Sequence, residues 1–521
     1  METAELLLLL LVVVAALVTL ARWLRIPYPI LLLIGGSVLG AIPDVPRLEL
    51  APDAILLLVL PPIVYLAAFF TPIRSFRADI GNIASLAVGL VLASTAAVAG
   101  VAIALVPGMT WPLAIALGAT VSPPDEVAAL AVMERLAVPR RVIALLQGES
   151  LVNDATALTV YRVALRVAVA GAAATTLGSI GSFGAVCLGG VVIGLVVGWL
   201  IAQIRTRLSD LPVEITVSLL TPYAAYLPAE LLGGSGVLAT VTAGLYLGRR
   251  SSRIMGFDVR LAGRAVWEML VFLLNGVVFL LIGLQIAALV REMHWPTLMA
   301  LVGVGLAVSV ALILVRAVWI TGIAAWQRFV VRRGPALGPA EIVVLTWAGL
   351  RGVVSLAAAL ALPLTLSGGA PLPARDAAIV ITFTVILVTL VGQGMTLPLV
   401  IRAVRLGGNE DVRAEEQRAR RQLVEEALRR IDSLYEQWPG HRPLLDQLRA
   451  AYQHRGEHVQ QLDLAPTEAE QEIVEHAQIR RSVIDAQRDA VSLMRDRGVI
   501  DDDVLRIIER ELDLEEARME A

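Results

Sequence analysis

Apolar residues in the first four hundred positions gather into long runs separated by short polar stretches. Runs such as LLLLLLVVVAALVTLA (6–21) approach the roughly 20 residues that a helix needs to cross a bilayer. Thirteen such spans are predicted, centred near residues 13, 34, 61, 93, 122, 155, 191, 220, 240, 277, 311, 353 and 389. Those near 220 and 240 are the shortest, separated only by ELLGGSG (230–236). Past residue 405 the runs give way to a polar chain with helical periodicity, interrupted at WPGHRP (438–443) and LAPTEAE (464–470). Two domains are therefore expected: a transmembrane domain over 1–405 and an acidic, helical tail over 406–521.

Composition agrees with a membrane protein: 57% hydrophobic, 17% charged, mean hydropathy +0.75. Soluble domains carry about 25% charged residues. Residues 1–405 hold 26 Arg against 19 acids, and residues 406–521 hold 17 Arg against 27 acids. Lysine is absent. Arginines favour cytoplasmic loops. With thirteen spans and the tail inside, nineteen arginines fall in inner loops and only Arg47, Arg291 and Arg375 in outer ones. Arg162 and Arg166, near the outer end of the sixth span, do not fit cleanly. The expected place is the plasma membrane, multi-pass, with the N-terminus outside and the tail cytoplasmic. Glu2 and Glu5 precede the first apolar run, the reverse of a signal peptide, so that run is expected to stay as a helix. Cys187, the single cysteine, reads as a small core residue. Lipids are the implied surroundings, and no nucleic-acid partner is expected.

Charged groups within the spans carry the functional signal. An ionisable side chain at mid-membrane costs about 2.5–3.5 kcal/mol on insertion scales, yet LLQGESLVNDATAL (145–158) contains Glu149, Asn153 and Asp154. At 1.5 Å per residue, Glu149 lies about 12 Å and Asp154 about 18 Å from the cytoplasmic end of the sixth span. Arg351 and Asp125 reach similar depth in the twelfth and fifth spans. Both of those spans carry helix breakers: VSPPDE (121–126) and WAGLRGVVS (347–355). Pro and Gly are common in membrane helices, but here each break adjoins a charge. Spans 1–6 and 8–13 can form two inverted six-helix repeats, with the broken fifth and twelfth spans in matching places. The fold class is thus all-α, about 13 transmembrane helices in two inverted six-helix repeats with crossed broken helices 5 and 12, plus a helical cytoplasmic tail.

Ser150 and Asp154 share one helix face at i,i+4, and Glu149 and Asn153 share an adjacent one. Arg351 is permanently charged and needs an anion, for which Asp125, Glu149 and Asp154 compete. Carboxylates, hydroxyls and carbonyls freed by a helix break are ligands for hard cations. A carboxylate shielded from water also holds a proton more readily. A group that must choose between a cation and H⁺ is the core of an exchanger. Of the five histidines only His294 lies in 1–405, in an outer loop, so carboxylates must carry the protons.

GESLVNDATAL, SPPDEVAAL, GLRGVVSLAAALALP and LPPIVYLAAF, taken in order, resemble the monovalent cation/proton antiporter (sodium/proton exchanger) family in its bacterial branch. The resemblance covers about three quarters of the chain. It implies a secondary active antiporter of Na⁺, with Li⁺ or K⁺ as alternatives, against H⁺, and no enzyme activity or cofactor. It implies that Asp154 binds cation and proton alternately, that Asp125 helps form the site, and that Asn153 positions Asp154. Ser150 is an implied further ligand, and Glu149 is implied to pair with Arg351 as a structural ion pair. An Asn-Asp pair is linked in the family to electroneutral exchange, and homodimers form through the membrane domain. Two positions depart from the family pattern: Asp125 sits between Pro124 and Glu126, and Leu66 stands where many relatives have glutamate.

Other readings are weaker. Glu268, Asn275 and Arg316 read as packing or hinge groups. GGSG (233–236) resembles an intramembrane protease motif, but no histidine within the spans can serve as its base. No GxxxxGK[ST] phosphate loop is present. A cation channel is the remaining alternative, although two broken spans around one acid suit alternating access. In the tail, His454 and His458 at i,i+4 read as a solvated face, since a metal site needs three or four ligands. Regulation and subunit association are its expected roles.

Overall fold

The computed structural model describes the chain except for residues 1–2, 25–26, 43–51, 72–78, 126–128, 131, 134–135, 137, 171–175, 209, 332–336, 364, 367–369, 407–409, 465, 498, 500–503, 506–507, 510, 513–514 and 517–521. Glu2, Arg25, Arg47, Arg74, Arg77, Glu126, Arg135, Arg332 and Arg333 lie outside the described residues, as does the His458 side chain. Two compact units result, Met1–Gly408 and Asn409–Ala521.

The first unit is helical, with a single β-bridge between Thr365 and Pro371 among its described residues. Its helices are α1 (Thr3–Leu24), α2 (Tyr28–Gly40), α3 (Pro52–Phe70), α4 (Ile80–Leu105), α5 (Trp111–Val121), α6 (Arg140–Ala170) and α7 (Thr176–Arg205). They continue as α8 (Leu211–Leu231), α9 (Gly236–Ile254), α10 (Phe257–Glu292), α11 (Trp295–Trp326), α12 (Pro339–Trp347), α13 (Val353–Leu360) and α14 (Arg375–Ala403). Five stretches combine the length and hydropathy to cross a membrane: Ile80–Leu105, Gly184–Arg205, Phe257–Arg291, Trp295–Phe329 and Arg375–Ala403. Their outward faces are apolar, with Leu188, Leu261 and Val318 each at least 66% exposed. Such surface suits lipid and would be an aggregation hazard in water.

Packing within the unit depends on close backbone approach. At Gly36 of α2 a side chain would meet the backbone of Leu280 and Gly283 in α10. Small residues let membrane helices approach until van der Waals contacts hold them. Buried clusters then fill the interior. One joins Val98, Leu113, Leu117, Val308 and Ile381, uniting α4, α5, α11 and α14.

Both sequence breaks are present. α5 stops at Val121 and the chain runs without helix through Asp125, as two consecutive prolines require. α12 ends at Trp347, and α13 resumes at Val353 after the AGLRG stretch. The two breaks touch: the Asp125 amide donates to the Leu350 carbonyl at 2.7 Å. α4 and α14 carry π-helical turns, Ser85–Leu90 and Val388–Gln393.

The second unit contains α15 (Glu410–Gln437), α16 (Arg442–Leu464) and α17 (Pro466–Asp496). Its helices end where WPGHRP and LAPTEAE interrupt the periodicity. Val424, Ile431, Leu445, Ile484 and Val491 are buried within it. Arg488 and Arg481 beside Glu516 hold that half-buried carboxyl below the usual range.

Candidate functional site

The site forms where α6 passes the two breaks. The two i,i+4 pairs on α6 separate as helical geometry requires. Glu149 and Asn153 are fully buried, whereas Ser150 and Asp154 line a cavity of about 370 Å³. Asp125 lines the same cavity from the break after α5, and Gly352 and Ser355 from the start of α13. Leu66 of α3 supplies apolar wall. Asp154 therefore faces Asp125 across a shared space. Among the described residues no hydrogen bond or ion pair reaches the Asp154 carboxylate.

α6 is fastened to the first break through one carbonyl. Ser150 Oγ donates to Pro124 O at 3.3 Å, and Asn153 Nδ2 reaches the same oxygen at 3.4 Å. The chain is not helical at Pro124, so this carbonyl has left the helix ladder and is available to α6. Asn153 Oδ1 is buried and accepts no hydrogen bond among the described residues.

The expected Glu149–Arg351 pair does not form. Glu149 is instead held in a bidentate pair by Arg316 of α11, Nη1 to Oε1 at 2.5 Å and Nη2 to Oε2 at 2.7 Å. Arg316 also donates from Nε to Leu345 O at 2.9 Å, in the last turn of α12. Arg351 lies against the end of α5, with Nε to Val121 O at 2.9 Å and Nη2 to Ser122 O at 3.2 Å. Its Nη1 donates to Gly349 O, and its own amide donates to Thr389 Oγ1 at 3.2 Å. The physical reason is the breaks themselves. A helix end leaves carbonyls without intrahelical partners and carries partial negative charge, so each arginine neutralises one broken end. Arg351 takes the end of α5, and Arg316 takes the end of α12 together with Glu149. From the sequence Arg316 reads as a packing or hinge group, whereas in the structure it is the ionic partner of Glu149. The available signal was a permanent cation inside the apolar run LILVRAVW (312–319), which demands an anion as strongly as Arg351 does.

Gly352 matters for space. Its φ of −130° is ordinary extended backbone, but a Cβ there would overlap the Asp125 carboxylate. Overpacking costs about 1–3 kcal/mol, and here it falls on a site group. Gly352→Ala is expected to lower the thermal midpoint of the purified protein. An unchanged midpoint would show that Asp125 has room the close contact denies it.

Gln147 and Asn275 complete the polar lining. Asn275, which reads from sequence as a packing or hinge group, stands in the wall of the cavity, while Glu268 pairs with Arg264 at an exposed position at 2.7 Å. Arg162 is half-buried and grips Glu230 of α8 at 2.5 Å, with Tyr226 Oη at 3.0 Å, which accounts for a charge that loop topology left unplaced.

Chemically, the cavity offers two carboxylates, a hydroxyl and polar backbone from a broken helix, the donor set of a hard monovalent cation or of a proton. Comparison with known proteins agrees. Residues 8–403 match the family described as "Sodium/hydrogen exchanger, transmembrane". An uncharacterized Na(+)/H(+) exchanger of Mycobacterium tuberculosis is 34% identical over 505 residues, 95% of this chain and 92% of the relative. A Na(+)/H(+) antiporter of Aphanothece halophytica is 33% identical over 428 residues, 81% of this chain and 78% of the relative. The solved sodium proton antiporter of Methanocaldococcus jannaschii superposes with a TM-score of 0.61 at 20% identity, covering 78% of this chain and 99% of that one, a likeness of fold. By the extent of that family match and of its relatives, this integral membrane chain belongs to the sodium/hydrogen exchanger family.

Proposed function

We propose that the chain is a secondary active antiporter that exchanges Na⁺, with Li⁺ and K⁺ as alternative cargoes, for H⁺ by alternating access. The observation that carries this is Asp154, a carboxylate with no ionic partner among the described residues, facing Asp125 in one cavity. Two facing carboxylates repel when both are charged, and either a cation or a proton relieves the repulsion. The two cargoes therefore compete for Asp154. Asp125 shares the field, while Ser150 and Asn153 hold α6 to the break at Pro124. One carboxylate trading one H⁺ for one monovalent ion moves no net charge, so exchange is electroneutral.

The proposal includes thirteen crossings, with spans 1–6 and 8–13 as inverted repeats in the plasma membrane, the N-terminus outside and the tail in the cytoplasm. It is supported by the arginine distribution and by the contact between breaks in matching spans. Assembly as a homodimer through the membrane unit and a regulatory role for Asn409–Ala521 belong to the same reading.

In proteoliposomes holding a pH dye, an outward sodium gradient is expected to drive proton entry. The rate should be the same whether the membrane potential is clamped at zero or at a large value. Absence of cation-driven pH change overturns antiport, and voltage dependence overturns one-for-one stoichiometry. A series of Na⁺, Li⁺ and K⁺ in the same assay sets the cargo preference. Flux without proton coupling would assign a channel.

A further inference from the structure

A second cavity, of about 310 Å³, lies at the end of α7 and shares Leu66 and Phe70 with the wall of the Asp154 cavity. Arg205, in the last turn of α7, lines it and is 1% exposed. None of its three guanidinium nitrogens has a hydrogen-bond partner among the described residues. Glu214 of α8 stands 3.9 Å away, beyond hydrogen-bonding distance, and its Oε2 is unpartnered too. A buried guanidinium with unmet donors is costly, and a guanidinium fork fits phosphate and carboxylate oxygens.

The rest of the wall has the same preference. Arg260 and Arg264 of α10 line the cavity, and so does the buried Tyr65 of α3. Arg260 engages Met255 O through Nη1 at 2.6 Å, and Arg264 engages Glu268 through Nε at 2.7 Å. Three guanidiniums thus meet two carboxylates, Glu214 and Glu268, which leaves net positive charge around unmet donors. Phe257, Leu261 and Arg264 recur at i, i+4 and i+7, so they share one face of α10. Phe257 is 66% and Leu261 71% exposed, and Phe70 of the cavity wall is half exposed. An anionic head would sit among the arginines, with apolar surface beside it.

We propose that Arg205, Arg260 and Arg264 form a binding site for a phosphate-bearing anion, supplied either as the head of an anionic phospholipid or as soluble phosphate. Leu66 and Phe70 stand in the walls of both cavities, so an occupant here would brace α3 where it borders the Asp154 site.

The test uses the delipidated full-length protein in detergent, titrated separately with dioleoylphosphatidylglycerol, net-neutral dioleoylphosphatidylcholine and inorganic phosphate. Binding is read by native mass spectrometry and by the shift in thermal midpoint. Saturable binding of phosphatidylglycerol over phosphatidylcholine assigns the lipid, and saturable binding of inorganic phosphate assigns the soluble ion. Either supports the site if Arg260→Gln and Arg264→Gln, at accessible positions, each weaken it about tenfold, as loss of a charge-assisted contact should. Arg205→Gln alone strands Glu214, so the double substitution Arg205→Gln with Glu214→Gln removes both buried charges and should abolish binding. Failure of both anions to bind the wild-type protein, or equal binding by these variants, overturns the proposal and leaves Arg205 and Glu214 as a loose structural pair.

Discussion

Asp154→Asn is expected to abolish sodium-driven proton movement in proteoliposomes while leaving the protein folded. The amide keeps the volume and shape of the carboxyl but cannot titrate, so it neither releases a proton to an arriving cation nor offers that cation a charge. The fold should tolerate the change because no ion pair depends on Asp154 among the described residues. Removing one of two facing carboxylates also removes repulsion with Asp125. The thermal midpoint in detergent should therefore hold or rise, and that readout separates a functional defect from a folding defect. The proposed competition has a further signature in the wild-type protein: the sodium concentration for half-maximal rate should increase as pH falls. Exchange retained by Asp154→Asn would move the cargo site elsewhere, and a collapse in thermal midpoint would make Asp154 a structural residue.

Much of this site was legible in the sequence because its features break rules that membrane helices otherwise obey. Prolines at 123 and 124 and glycines at 349 and 352 announce interruptions, and both are present. The i,i+4 spacing puts Ser150 with Asp154 on one face of α6 and Glu149 with Asn153 on an adjacent one, and only the first pair lines the cavity, Asn153 being fully buried beside it. Lateral neighbourhood was not legible. Arg351 and Arg316 are both permanent cations in apolar surroundings, and depth along a span says nothing about which helix lies alongside. The carbonyls that claim Arg351, at Val121, Ser122 and Gly349, become acceptors only because the breaks release them. That competition for donors exists in three dimensions alone. The helical parts of two expected spans are short: α5, at 11 residues, stops at the predicted break, and α2 has 13 residues.

The reassigned pair predicts a specific pattern of damage. Arg316 and Glu149 have side chains 2% and 0% exposed and meet in bidentate contact. Removing one partner of such a pair strands the other charge away from water, at a cost of about 3–5 kcal/mol. Glu149→Gln and Arg316→Met are each expected to reduce folded yield severely and to lower the thermal midpoint more than Asp154→Asn does. The double variant should recover much of the loss, since replacing a buried pair with neutral groups is often close to neutral. Its recovery should be incomplete, because Leu345 O at the end of α12 loses its donor. Arg351→Met provides the contrast. It unfastens the end of α5 but breaks no ion pair to a carboxylate, so its coupling to Glu149→Gln should be much smaller than that of Arg316→Met with Glu149→Gln. Additive damage in the Arg316 cycle, with compensation in the Arg351 cycle, would restore the pairing expected from sequence. The observed pairing gives Arg316 two roles at once, counterion to the helix that carries Asp154 and cap for the broken helix beside it. Loss of Arg316 should therefore disturb transport even in molecules that fold.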